Sequence, residues 1–168
     1  IGHAIVPANS PPCLRMPKID QDVARAAFEH ALATHEQAFG QFFLAKLLGF
    51  EITFPNETCR VEFALQDFMY NPQGSLHGGI AALAMDVSMG HLLNHLRGPG
   101  ATLEIKVQYM RALRGGRVVA TGSVLRRGKE IAFLESRLID QDGQLAALAT
   151  ATWRTSPAGP RPEATPAT

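Results

Sequence analysis

The sequence predicts an α+β domain in which an antiparallel sheet curls round one buried helix, and three observations carry that prediction. The stretch 78–96 holds Ile80, Ala81, Ala82, Leu83, Ala84, Met85, Val87, Met89, Leu92 and Leu93, apolar almost all the way round. A helix of that kind is enclosed by the rest of its protein. About six strand-like runs flank it, most of them joined by turn signals, which suits one sheet packed on that helix. Prolines crowd the two ends of the chain: Pro7, Pro11, Pro12 and Pro17 at the start, and Pro157, Pro160, Pro162 and Pro166 in the tail.

The elements follow in order. Asp20 is positioned to cap a helix carrying Val23, Ala26, Ala27, Leu32 and Ala33. A second short helix is expected over 37–44. Strand-like runs at 48–54 and 59–65 are separated by Pro55-Asn56-Glu57, a turn. The run 103–109 (Leu-Glu-Ile-Lys-Val-Gln-Tyr) alternates strictly, the period-2 signature of a half-buried strand. Arg114-Gly115-Gly116-Arg117 reads as a hairpin turn into a strand over 118–125. A strand at 131–139 and the turn Gln141-Asp142-Gly143-Gln144 into 145–153 complete the set. The domain with its N-terminal helical extension is expected over 19–155. Residues 1–18 are expected to be disordered or an appended remnant, with Met16 as an alternative natural start, and the Pro/Ala/Thr tail 156–168 to be disordered.

Composition narrows the function. A chain of 168 residues, 46% hydrophobic and 18% charged, supports one domain with a real core. A formal net charge of +1 lacks the electrostatic footprint of a nucleic-acid binder. No run is apolar enough for a membrane span, and no signal peptide is evident at the start. Cys13 and Cys59 make neither a disulfide framework nor a CxxC pair, so a cytoplasmic setting is expected.

The candidate chemistry lies in Asn71-Pro-Gln-Gly74-Ser-Leu-His77-Gly78-Gly79, which opens the buried helix, and in Asp86 within it. The Gly78 and Gly79 N–H groups at a helix start have no intrahelical partner and face the positive end of the dipole. They suit a carbonyl oxygen becoming an oxyanion, or simply a tight loop-to-helix junction. Asp86 is costly on an apolar helix unless compensated; it is either paired with an arginine or a working carboxylate. His77 is a structural or a functional histidine.

Taken together, Asn-x-x-Gly-x-x-His-Gly-Gly with an acid nine residues after the histidine resembles the hotdog-fold acyl-CoA thioesterases, in particular the phenylacetate-pathway group that carries Asp there. The similarity continues through Thr102, Tyr109 and the hairpin Arg126-Arg127-Gly128-Lys129, and covers about 47–153 of this chain. The resemblance implies a central helix wrapped by a curved sheet, and a homodimer as the minimal unit, commonly a homotetramer. It implies that Asp86 is the catalytic carboxylate, acting as general base or nucleophile, and Gly78 the backbone donor to the thioester carbonyl. Asn71 would position water or substrate, His77 would support this corner, and Thr102 would assist the water. Two departures stand out: Gly90 replaces a hydroxyl residue of 4-hydroxybenzoyl-type relatives, and the chain before Leu47 exceeds the core fold.

Spacing adds an independent argument. Eight residues of helix separate Gly78 from Asp86 by about 12 Å. Donor and carboxylate serving one carbonyl carbon must each approach it within roughly 3–4 Å. One helix does not supply both, so a shared site takes the donor from one subunit and the acid from another.

The basic hairpin of Arg126, Arg127, Gly128 and Lys129, with Arg111, Arg114 and Arg117 nearby in sequence, reads as a CoA-phosphate contact or as a solvated turn. His91 and His95 have helical chelate spacing without a third ligand, and no metal site is expected. The expected activity is hydrolysis of an aryl- or medium-chain acyl-CoA to free acid and CoA, with no cofactor beyond the CoA of the substrate. The alternatives are a non-catalytic acyl-CoA-binding module and a hotdog dehydratase or hydratase.

Overall fold

The computed structural model describes residues 19–155. The expectations for 1–18 and 156–168, including Met16 and Cys13, lie outside the described residues. Asp20 caps helix α1 (Gln21–Thr34), its Oδ1 accepting from the Asp22 and Val23 N–H groups at 3.0 and 3.2 Å. Its own N–H donates to Asp67 Oδ2 at 2.6 Å, which ties the helix start to the domain. Most of α1 is exposed; it packs on α2 (Phe43–Leu47), where Phe28 meets Phe43 edge-on at 5.5 Å.

The second helix lies later than the expected 37–44. Gly40 sits at φ 76 and Phe42 is extended, so the chain remains irregular until Phe43. The expected strand over 48–54 shrinks to β1 (Glu51–Thr53). Leu48 closes α2, and Gly49, at φ 64, sends its N–H back to the Lys46 carbonyl.

β2 (Cys59–Ala64) follows through a turn in which Asn56 and Glu57 both have positive φ, the geometry of a two-residue hairpin. A single 3-10 turn at Asp67–Met69 leads to the long helix α3 (Gly78–Arg97). Strands β3 (Gly100–Tyr109), β4 (Arg117–Arg127), β5 (Ile131–Asp140) and β6 (Leu145–Thr155) complete a six-stranded antiparallel sheet ordered β1-β2-β4-β5-β6-β3. The fold class is as expected: a curved sheet wrapped on a long central helix. One connection differs. Residues 114–117 join β3 to β4 without pairing them; β3 crosses to β6, and β4 lies between β2 and β5.

β3 is consequently an edge strand with one unpaired side. Its register sets Thr102 opposite Trp153, Val107 opposite Ala149 and Tyr109 opposite Ala147. Trp153, Ala149 and Ala147 are buried, so Thr102, Val107 and Tyr109 share the face that covers α3. On the helix, Met85, Met89, Leu92 and Leu93 are fully buried in a core shared with Phe63, Leu134 and Leu138. Two close approaches seat α3. A Cβ at Gly122 would lie 2.6 Å from the Ser88 carbonyl carbon, and one at Gly90 would lie 2.6 Å from the Trp153 ring.

Candidate active site

The loop before α3 is a self-bonded turn. Asn71 Oδ1 accepts from the Gln73 N–H at 2.9 Å, and Asn71 Nδ2 donates to Ser75 Oγ at 3.1 Å. The Asn71 N–H donates to the Ser75 carbonyl at 2.8 Å, across the left-handed Gly74. Arg114 grips the outside of this turn, its Nη1 donating to the Gln73 and Gly74 carbonyls at 3.0 and 3.2 Å. The Asn71 side chain is thus committed to shaping the loop, as an Asx turn does.

His77 is the N-cap of α3. Its Nδ1 accepts from the Gly79 N–H at 3.0 Å, and its carbonyl accepts from Ile80 and Ala81. The cap therefore uses up the Gly79 donor and leaves the Gly78 N–H as the uncommitted one at the positive end of the helix. Tyr109 completes this corner: its hydroxyl donates to the Gly78 carbonyl at 2.7 Å. A Cβ on Gly78 would sit 3.3 Å from the phenol carbon, so only a glycine lets the ring lie this close without adjustment. A cleft of about 320 Å³ opens here, lined by Asn71, Ser75, Gly78, Tyr109, Leu138 and Ala147 among others.

Asp86 lies two turns along α3, half-buried, with Thr102 Oγ1 donating to its Oδ1 at 3.1 Å. No Lys, Arg or His forms an ion pair with it among the described residues. Burial raises the carboxyl above its usual range, and the Thr102 hydrogen bond opposes that rise. The arginine-paired alternative is therefore not what this chain adopts. The structure joins Asp86 with Thr102 near the middle of α3, sets His77 and Gly78 at its start, and places Asn71 with Gly78 on the wall of one cleft.

The basic residues divide. Arg117 is held by Glu51 at 2.8 Å and Glu62 at 2.9 Å, Arg111 faces Asp140 at 3.4 Å, and Arg114 serves the loop carbonyls. These three do not join a phosphate-binding cluster. Arg126, Arg127 and Lys129 are exposed and make no ion pair among the described residues. Arg97 Nη1 reaches the Gly128 carbonyl at 3.2 Å, which brings a fourth cation to that hairpin. A cleft of about 380 Å³ there is lined by Arg126, Arg127, Leu96 and Asn56 among others.

Tyr109 and Arg114 stand out in the sequence, but the contacts they make do not. Arg114 holds a loop some forty residues away, and Tyr109 owes its place to a pairing of β3 with β6. Only the alternation of 103–109 hinted that Tyr109 shares the helix-facing side. Among the described residues, no three or more His, Cys, Asp or Glu side chains converge as metal ligands. No helix among them is long and apolar enough to cross a membrane.

Known proteins share the family and the fold. The family model for the thioesterase superfamily matches residues 73–147, the span from the Asn71 loop to the inner end of β6. The medium/long-chain acyl-CoA thioesterase YigI of Escherichia coli is 31% identical over 151 residues, taking in 73% of this chain and 97% of that protein. A putative esterase of Saccharolobus solfataricus, SSO2140, is 30% identical over 95 residues, covering 55% of this chain and 68% of the other. Among solved structures, the BH2602 protein from Bacillus halodurans with CoA superposes at a TM-score of 0.73 and 22% identity, covering 85% of this chain and 97% of that one. The E. coli PaaI protein from the phenylacetic acid degradation operon gives 0.67 at 20% identity, over 81% of this chain and 97% of that one. With a relative matched over nearly its whole length and the same fold in its structural neighbours, this chain belongs to the thioesterase superfamily and is a hotdog-fold thioester hydrolase.

Proposed function

We propose that the chain hydrolyses an aryl- or medium-chain acyl-CoA to the free acid and CoA at sites shared between two subunits. The observation that carries this reading is Asp86: a half-buried carboxylate without a cation partner, held by Thr102, on the same helix as a free Gly78 N–H that it does not reach. The likeness to YigI supports acyl-CoA as the substrate class. The apolar cleft at Gly78 supports an acyl group of medium size.

In this mechanism the thioester oxygen lies against the Gly78 N–H of one subunit, where the helix dipole favours the charge that develops on it. Asp86 of the other subunit takes a proton from water as the water oxygen bonds to the carbonyl carbon; collapse breaks the C–S bond and releases the CoA thiolate. Direct attack by Asp86, giving a mixed anhydride that water then opens, is the second route. After a single turnover in ¹⁸O-water, label in Asp86 marks the anhydride route with water attacking the aspartyl carbonyl, and trapping of the acyl-enzyme detects that route when water attacks the acyl carbonyl instead. The exposed Arg126, Arg127 and Lys129, with Gly128 at the turn, are the proposed contact for the CoA phosphates. No metal or organic cofactor takes part.

The edge strand supports the pairing. Thr102 and Tyr109 mark opposite ends of β3 and contact Asp86 and Gly78 respectively. Antiparallel pairing of two β3 edges about a twofold axis near the strand's middle would set each Thr102 end against the other chain's Tyr109 end. The homodimer is the proposed minimal unit, and a homotetramer of two such dimers the proposed larger assembly.

Mixing two inactive variants tests the shared site. Gly78→Pro removes the N–H at the first helical position, where proline suits the backbone, with a small shift of the Tyr109 ring, and Asp86→Asn removes the base. Each is expected to be inactive on a panel of acyl-CoAs followed by thiol release. After subunit exchange, half the dimers are mixed and each has one intact site, so activity should return to about a quarter of wild type. A mixture that stays inactive despite confirmed exchange overturns the shared site; a wild-type chain inactive on the whole panel overturns the substrate class.

A further inference from the structure

A third cleft, of about 370 Å³, lies between α3, β1 and the chain leading into α2. None of its lining residues lines the cleft at Gly78. His91, at its wall, follows Asp86 by five residues, which is about 140° round the helix. The catalytic proposal makes no use of this side.

The chemistry of the lining is unbalanced. Phe39, Phe50 and Phe54 supply aromatic surface, Lys46 and His95 supply cationic or protonatable heads, and no Asp or Glu lines the cleft. His91 is 7% exposed, and its Nε2 is a buried atom without a hydrogen-bond partner among the described residues. The Val87 carbonyl one turn back attracts a proton to the other ring nitrogen, and the neutral tautomer protonated there leaves Nε2 a bare acceptor. Phe39 meets the His91 ring edge-on at 5.1 Å, and Phe54 stacks on His95 at 4.5 Å. A buried polar atom left without a partner costs free energy that a ligand group can recover.

We propose that this cleft binds an apolar monocarboxylate, an aliphatic or aryl acid, with its body against Phe39, Phe50 and Phe54 and its carboxylate between His91 Nε2 and Lys46. Burial pushes the His91 pKa down and so favours the neutral ring in the free cleft. Binding therefore adds one proton to Nε2, which then donates to the carboxylate while the opposite N–H holds the Val87 carbonyl. Lys46 from α2 and His95 from α3 are the other titratable side chains that line the cleft. That such an acid is also the class of product released rests on the function proposed above; the chemistry of the cleft does not.

Calorimetric titration of the full chain with octanoate, without any acyl-CoA, tests this. Binding is expected in wild type and equally in Asp86→Asn, with heats that change with the ionisation enthalpy of the buffer because a proton is taken up. Lys46→Met and His91→Phe should each weaken binding about tenfold. Lys46 lies on a surface helix, so its variant keeps the test decisive even where His91→Phe disturbs the core. Absence of octanoate binding at millimolar concentration, unchanged affinity in Lys46→Met, or loss of binding in Asp86→Asn overturns the proposal. A chain that binds octanoate in this way but hydrolyses no acyl-CoA overturns the substrate reading alone.

Discussion

At its Tyr109 end, β3 braces a helix start with an uncommitted N–H and a cleft lined by no Asp or Glu; at its Thr102 end it braces a carboxylate two helical turns from that donor. The first end is built to receive negative charge and the second to provide it. Local sequence explains each separately. His77 consumes the Gly79 donor and so singles out Gly78, while the apolar helix around Asp86 half-buries a carboxylate whose side-chain partner among the described residues is the Thr102 hydroxyl. The contrast teaches that one chain keeps an unused backbone donor and an unpaired carboxylate apart on a single helix, which is what the proposed shared site requires.

Substitutions at the two ends should fail differently. The largest effect is expected for Asp86→Asn, which should lower kcat by about 10³-fold or more if the carboxylate is the base. The same variant should be more stable at neutral pH. Burial raises the folded-state pKa of Asp86, so folding favours its protonated form. That stability is present in acid and is lost as pH rises through the folded pKa. An asparagine removes the cost, and thermal unfolding should show the gain at pH 7 shrinking towards the ordinary carboxylate range. A variant both inactive and less stable at neutral pH would mean that Asp86 is structural.

Charge reversal at Arg127, remote from either end, should raise KM for a CoA thioester by about tenfold with little change in kcat, because it removes binding felt equally by ground and transition states. The smallest effect is expected for Thr102→Val. It removes the hydrogen bond that favours the ionised carboxylate, so the acid limb of the kcat/KM profile should move to higher pH while the plateau falls only several-fold. An unmoved limb would detach Thr102 from the titration of Asp86.

Much of this arrangement was legible in residue order. The all-round apolar pattern of 78–96 marked the buried helix, Asp20 its capping role, and the Gly78–Asp86 interval the separation of donor and acid. What escaped is what depends on contacts between distant segments. The adjacent Phe42 and Phe43 suit a helix as well as a loop, and with Gly40 left-handed and Phe42 extended the helix begins only at the second of them. The glycine pair at 115–116 has the composition of a hairpin, yet β3 finds its partner in β6, because pairing is settled by which apolar faces must cover α3. The Arg114 grip on the Asn71 loop and the Tyr109 contact with Gly78 span 40 and 31 residues. No local pattern records such distances.

Gly90 and Trp153 carry one consequence further. The indole rests so closely on the helix that a methyl group at position 90 would overlap it, one turn beyond Asp86. The two positions are therefore bound to change in concert: a serine or threonine at 90 is open only to a lineage that has already traded the tryptophan for something smaller. A large ring in the sheet leaves position 90 room for a hydrogen and nothing more.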